Sequence, residues 1–265
     1  NNSFSENTIN LLVAGSNNEI GSNNFCNTSG GDIVINSSNL NIFDQNKFGN
    51  INDEGIIKVI GTSVNNAFTS NAFAYSIVNT IDLGDNGPTA NDPGDADSGP
   101  NNLQNYPVNI TLDGTQLDYT LDTSAGDYLV EFHIPSTVSC SSMSSLVCSD
   151  VITHAGGSQP YSLSCPGLPI GTFNIQALVA KEIAPDAYGD TSELSPIVSL
   201  DNPGPSNTPT PTNTPLPTVT NTPVPVPSDT PVPVPSSTTA PAVVSSPTLV
   251  PTLAGTRTPV PTASD

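Results

Sequence analysis

"FDQNKF", residues 43–48, reads as an apolar residue, an asparagine three positions later, and a second apolar residue two after that. The same spacing recurs in "FSENTI" (4–9), "IGSNNF" (20–25) and "FTSNAF" (68–73). The asparagines, Asn7, Asn23, Asn46 and Asn71, are mostly a little over twenty residues apart. That interval is the length of one coil of a solenoid, a unit that buries its apolar face only by stacking on its neighbours. Between the hexapeptides lie β-branched runs, "DIVIN" (32–36), "IIKVIG" (56–61) and "YSIVN" (75–79), which read as second strands of successive coils. Ile33 follows Phe25 by eight residues, and Ile56 follows Phe48 by the same eight. Stacking in phase would set the apolar residues in inward ladders. The Asn side chains would then sit at one recurring turn, where they hydrogen-bond along the stack and tolerate left-handed backbone.

Residues 103–200 change period. "PVNITL", "QLDYTL", "YLVEFHI" and "FNIQALV" alternate strictly, with Val108, Ile110 and Leu112, or Tyr128, Val130, Phe132 and Ile134, on one face. "SDVITH", "YSLS" and "SPIVSL" supply up to three more short strands. Seven strands in about a hundred residues suit a β-sandwich of immunoglobulin-like type. From Asn202 onward the chain holds seventeen of its 27 prolines and no aromatic residue, and duplicates "TPVPVPSD" (222–229) as "TPVPVPSS" (230–237). Without aromatics it cannot build a core. It reads as a disordered or polyproline II stalk, about 200 Å long if extended, with hydroxyls suited to O-glycosylation.

The expected organisation is all-β: solenoid coils over 1–84, an Asp/Gly/Pro-rich junction over 85–102, a sandwich over 103–201 and a stalk over 202–265. The first residue is Asn, and the chain reads as a mature or truncated piece of something longer. Net charge is −20, with Lys47, Lys58, Lys181 and Arg257 as the only cations. Such a surface does not neutralise phosphates, which argues against nucleic acid and anionic membranes and in favour of divalent cations. No apolar run is long enough to span a bilayer. Cys26, Cys140, Cys148 and Cys165 fit no C-x-x-C spacing. A disulfide among the last three is expected in an oxidising compartment, with reduced buried thiols as the alternative.

The junction, "IDLGDNGPTANDPGDADSGPNNLQNYPV" (81–108), crowds Asp82, Asp85, Asp92, Asp95 and Asp97 together with no neighbouring cation. Calcium takes six to eight oxygens in flexible geometry, so these five are the candidate ligands, Asp92, Asp95 and Asp97 first. "DADSG" (95–99) resembles the start of an EF-hand loop but lacks its third ligand position and closing Glu. A solvated, Asx-capped turn that fixes the angle between domains is the alternative.

The coils and this junction together resemble bacterial surface proteins with right-handed parallel β-helix repeats, including those carrying a CSLREA-type N-terminal motif. In that family an "I-D-L-G" strand ends a coil, an Asp/Gly-rich turn and "N-N-L-Q-N-F/Y-P" lead into a sandwich, and a segment like "DTSELSP" (190–196) closes it. The resemblance implies an extracellular or cell-surface location and no particular reaction. The expected role is non-enzymatic: a surface-display or adhesion scaffold, stabilised by Ca²⁺ and meeting polysaccharide or cell-envelope glycans. Purely structural surface-layer material is a further reading.

The alternative is a polysaccharide lyase or glycoside hydrolase whose catalytic residues lie in coils outside this chain. Lys47 and Lys58 read as solvated lysines, and Asp32, Asp44, Asp53 and Glu54 qualify as acids by type alone, with no spacing that picks out a pair. His133 and His154 sit in no nucleophile motif. His133 shares one face of its strand with Glu131, which reads as surface decoration. Zinc from His154 with a cysteine has the wrong spacing. Sequons at Asn27, Asn36 and Asn109 are formal matches only.

Overall fold

The apolar positions of the first eighty residues fall into columns because the chain returns, circuit after circuit, to the same three parallel sheets. The computed structural model describes residues 3–4, 11–26, 33–49, 57–74, 80–135 and 145–204. The first sheet stacks β1 (Ser3–Phe4), β4 (Asn24–Cys26), β7 (Lys47–Gly49) and β10 (Ala72–Phe73). The second stacks β2 (Leu11–Val13), β5 (Ile33–Asn36), β8 (Ile57–Ile60) and β11 (Ile81–Leu83), and the third β3 (Glu19–Gly21), β6 (Ile42–Asp44) and β9 (Ala67–Thr69).

Register explains the spacing. Phe25 pairs with Phe48 and Phe48 with Phe73, and their rings stack at 5.2 and 5.8 Å. Phe43 and Phe68 stack at 5.0 Å in the third sheet. Ile33, Ile57 and Ile81 form another fully buried column, with Ile35, Val59 and Leu83 beside it. Aromatic and β-branched side chains directly above one another keep area burial and ring contact in phase.

Three expectations need correcting. Phe4 pairs with Phe25, so it belongs to the column of the second apolar position rather than the first. The residue stacked on Ile33 is Ile57, nine positions after Phe48, whereas Ile56 lies outside the described residues. The strand that follows β8 in its sheet is Ile81–Leu83; "YSIVN" lies outside the described residues. The left-handed positions also differ from expectation. Ser22, Gln45 and Ser70, with Asn17, Leu40 and Asn65, are left-handed and each stands immediately before an asparagine of the circuits, as Ser37 does before Ser38; those asparagines are not themselves left-handed, whereas Asn101 of the junction is.

The later residues form two antiparallel sheets around a shared core. One orders β12 (Val108–Asp113), β13 (Gln116–Thr123) and β16 (Gly157–Ser164). The other orders β15 (Leu146–His154), β14 (Gly126–His133), β17 (Gly171–Ala184) and β18 (Ala187–Gly189), with β19 (Val198–Asn202) on the first half of β17. All seven expected strands are present, and β18 adds one too short to show alternation.

Pairing steps from Thr123↔Gly157 to Gly126↔His154 without a change of register, so β13–β14 and β15–β16 are one long hairpin ribbon bent into two layers. Small residues make the bend: a Cβ on Gly156, at φ 93°, would sit 3.4 Å from the Ala125 nitrogen. Leu117, Tyr119 and Leu121 face Tyr128, Val130 and Phe132 across the layers. A disulfide between Cys148 on β15 and buried Cys165, just after β16, ties one layer to the other. Cys140 lies outside the described residues.

The chain divides into two units, Asn1–Pro209 and Thr210–Asp265. The parallel stack and the antiparallel module both belong to the first, and the second lies outside the described residues.

Candidate functional site

Buried polar chemistry in this protein begins with asparagine. Asn46, fully buried, accepts from the Asn23 N–H at 2.9 Å, while its amide donates to the Ile20 carbonyl at 2.7 Å and to Asn71 Oδ1 at 3.2 Å. A second ladder runs in parallel through Asn18, Asn41, Asn66 and Asn101. Each step of this second ladder, and the step from Asn46 to Asn71, sends a backbone N–H and a side-chain amide N–H to the Oδ1 of the next asparagine. Buried donors at the corners, where no strand can pair them, are thereby satisfied. Asn101 comes from the junction. Its tight turn, Pro100–Leu103, holds Asn101, Asn102 and Leu103 at φ of 47°, 53° and 52°, a strained run that places its side chain in the ladder.

The stack ends at a surface made of side-chain oxygens from the antiparallel module. The Phe68 N–H donates to Thr191 Oγ1 (2.9 Å), Ser70 N–H to both Glu131 oxygens (2.8 and 3.1 Å), Phe73 N–H to Ser145 Oγ (2.9 Å) and Leu83 N–H to Glu193 Oε1 (3.0 Å). Asn65 N–H donates to Asp190, and Thr191 N–H returns a bond to the Asn66 carbonyl at 3.1 Å. The last described strand of every sheet is thus covered. Leu103, Leu178 and Leu194 join the apolar core of the stack and close its column at this end. Unpaired strand edges invite association with other chains, and here they meet specific acceptors instead.

This overturns the reading of Glu131 and His133 as surface decoration. They are 2% and 1% exposed, because the face of β14 that alternation turns away from the module's core is covered by the stack. His133 contacts Glu131 Oε2 through Nε2 and Ser145 Oγ through Nδ1, both at 3.2 Å. A serine, an imidazole and a carboxylate therefore do come together, but Ser145 is 1% exposed and its hydroxyl oxygen accepts from Phe73. The relay orients the acceptors that the Ser70 and Phe73 N–H groups use. His154 bonds the Tyr161 hydroxyl at 2.8 Å and the Thr123 carbonyl at 3.2 Å, within the module.

The junction separates the five aspartates. Asp82 is buried and accepts from the Asn86 and Gly87 N–H groups, both at 3.2 Å. Asp85 pairs with Lys58 at 2.6 Å, so that lysine is ion-paired rather than simply solvated. Asp92, Asp95 and Asp97 form a group in which one oxygen from each lies within 4.8 Å of the others. Asp95 accepts from the Asn105 N–H (2.8 Å) and the Thr123 hydroxyl (2.9 Å), and Asp92 accepts from the Ala96 N–H (3.1 Å). Burial pushes the Asp95 carboxyl above the ordinary range; the bonds from Asn105 and Thr123 oppose this, and the charges of Asp97 and Asp92 add to it. Asp97 is raised by burial and then by Asp92.

Of the candidate catalytic residues, Asp44 is half-buried on β6 and takes a bond from the Gln45 side chain at 2.9 Å. Lys47 is half-buried on β7, while Asp32, Asp53 and Glu54 lie outside the described residues. No described helix is long and apolar enough to cross a membrane. No protein-family model matches the chain, and no curated protein matches it.

Proposed function

We propose that this chain is a non-enzymatic extracellular scaffold: the end of a right-handed parallel β-helix, terminated by an immunoglobulin-like sandwich and carried on a Pro/Thr stalk, of the kind found in the bacterial surface proteins it resembles. The observation that carries this reading is where the reactive side chains go. Asn46, Asn66, Glu131, His133, Ser145 and Glu193, all almost fully buried, satisfy backbone or one another. Chemistry invested in holding strands in register favours rigidity over turnover. A rigid stack presents its outward columns at fixed spacing, which suits an extended polymer such as a polysaccharide or envelope glycan.

Calcium at Asp92, Asp95 and Asp97 belongs to this proposal. The donor set fits: three carboxylates converge, each has lone pairs beyond those its hydrogen bonds use, and Asp95 and Asp97, raised first by burial and then by the neighbouring carboxylate charges, are groups whose charged form a bound cation would favour. Asp82 and Asp85 hold the preceding turn instead.

A glycan array probed with the full chain tests the scaffold role, with binding to an extended polysaccharide as the expected result. Absence of any glycan binding, or turnover of a uronate or neutral polysaccharide, would overturn it. Thermal melting with Ca²⁺ and then chelator tests the cation separately.

A further inference from the structure

One peptide bond of the junction is held in a way that bears on its own breakage. Asp92–Pro93 is the chain's single Asp–Pro bond. Pro93 and Gly94, the latter at φ 73°, form the centre of a tight turn in which the Asp95 N–H donates to the Asp92 carbonyl at 3.4 Å. The same carbonyl accepts from the Asn105 side-chain amide at 2.7 Å. Asn105 is 2% exposed and grips Asp92 at both ends, since its Oδ1 takes the Asp92 N–H at 3.1 Å. Its amide also donates to the Asp122 carbonyl, on β13, at 2.7 Å, so the antiparallel module fixes its position. Two donors thus converge on one carbonyl oxygen, the arrangement that stabilises a developing oxyanion. The Pro93 nitrogen beyond that carbonyl carries no hydrogen and is the more basic kind of amide nitrogen, which eases its departure.

We infer that Asp92–Pro93 is a self-cleavage site, with Asn105 as the donor that activates it. A side-chain oxygen of Asp92 bonds to the carbonyl carbon of the same residue, closing a five-membered ring, and the carbonyl electron pair moves onto the oxygen that Asn105 and the Asp95 N–H hold. When that pair returns, the bond to the Pro93 nitrogen breaks and the nitrogen takes a proton from water. The hydroxide so formed opens the cyclic anhydride left at residue 92, giving one carboxylate and one carboxylic acid. One water is consumed, and nothing is oxidised or reduced. The cut falls between β11 and the Asn101 rung, yet the pieces remain in contact. Leu83 and Thr89 stay bonded to Glu193, and Asn91 exchanges bonds with the Tyr106 backbone at 2.7 and 3.1 Å. The stack is then joined to the module through docking contacts rather than through this stretch of backbone. The inference goes beyond the scaffold reading and does not depend on glycan or cation binding.

The test incubates the full chain in neutral buffer with chelator, which keeps both the ordinary acid lability of Asp–Pro bonds and any cation out of the comparison. Mass spectrometry after reduction and denaturation reads the cut, and fragments ending at Asp92 and beginning at Pro93 are expected. They should form at least about tenfold faster in the folded chain than in the same chain unfolded in urea, because folding is what brings Asn105 to the carbonyl. Hydroxylamine should leave a hydroxamate on residue 92, the mark of an acyl intermediate. Asp92→Ala should abolish the fragments. Asn105→Asp, which keeps an acceptor for the Asp92 N–H but loses the amide donor, should slow them by at least about tenfold. A folded wild-type chain that stays intact would overturn the proposal. So would equal rates in the folded and urea-unfolded chain, or cleavage undiminished by Asp92→Ala.

Discussion

Replacing Asn46 with alanine tests the central physical idea, that the asparagine ladders hold the stack in register. The side chain is fully buried and makes three bonds that alanine cannot: it accepts from Asn23 N–H at 2.9 Å and donates to the Ile20 carbonyl at 2.7 Å and to Asn71 Oδ1 at 3.2 Å. Asn71 Oδ1 keeps a donor, the backbone N–H of residue 46 at 2.8 Å. The Asn23 N–H and the Ile20 carbonyl each lose this partner. At about 1–3 kcal/mol for the bond taken from the buried Asn23 N–H and about 1 kcal/mol for that taken from the half-buried Ile20 carbonyl, the loss comes to roughly 2–4 kcal/mol. For a unit of this size, each kcal/mol shifts Tm by about 2–4 °C. Asn18→Ala is the control. That residue is exposed and donates to the Gly15 carbonyl at 2.8 Å and Asn41 Oδ1 at 2.9 Å, bonds that water replaces, so the expected loss is below about 1 kcal/mol. Urea unfolding followed by far-ultraviolet circular dichroism measures both. Equal losses for the two variants, or less than 1 kcal/mol for Asn46→Ala, would refute the claim that the ladder holds the corner donors.

Glu193→Ala removes the acceptor for the Leu83 N–H and for the Thr89 N–H and hydroxyl, and should cost about 2–5 kcal/mol in the same assay, with Glu193→Gln recovering part of it. Cys148→Ser with Cys165→Ser opens a loop of 17 residues and should lower stability by about 3 kcal/mol on chain-entropy grounds. In chelator, the raised carboxyls of Asp95 and Asp97 hold protons more tightly folded than unfolded. Their contribution is therefore most favourable below the ordinary carboxylate value and is lost as pH rises through the raised one. The stability of wild type relative to Asp95→Asn should accordingly fall between pH 4 and neutrality, a trend that pH-resolved melts would detect. Added Ca²⁺ should raise the melting temperature at neutral pH in wild type and not in Asp92→Asn/Asp95→Asn; a shift in that variant would move the cation elsewhere.

Much of this architecture is written locally, and the parts that are not share a cause. Phe43, Asn46 and Phe48 announce a circuit because an aromatic column and a buried amide demand fixed intervals. The second ladder was equally available, since Asn18, Asn41 and Asn66 each stand five residues before Asn23, Asn46 and Asn71. Phe4 and Ile56 mislead because a one-position or five-position slip preserves the apolar pattern while changing the column. The cap is harder to see. Alternation along β14 separates Glu131 and His133 from Val130 and Phe132, but it cannot tell whether the second face meets water or another part of the chain. Asp190, Thr191 and Glu193 lie in "DTSELSP", which has no strand periodicity because side-chain oxygens, with single backbone bonds such as Thr191 N–H to the Asn66 carbonyl, complete the sheets in place of a regular ladder. In the junction the crowding of carboxylates is legible, whereas the division of Asp82 and Asp85 from the other three depends on Lys58 and the turn at Asn86–Gly87, which no spacing rule supplies.

The bent ribbon has a bearing on how the molecule comes apart. Since one hairpin furnishes strands to both layers, neither layer possesses a private melting transition; releasing Tyr119 from one wall requires the opposite wall around Tyr128 to let go through the same two strands. The protein has no tryptophan, so tyrosine emission is its intrinsic optical reporter. Signals from these two rings should trace a single sigmoid, and a reductant should slide that whole curve to lower denaturant without splitting it.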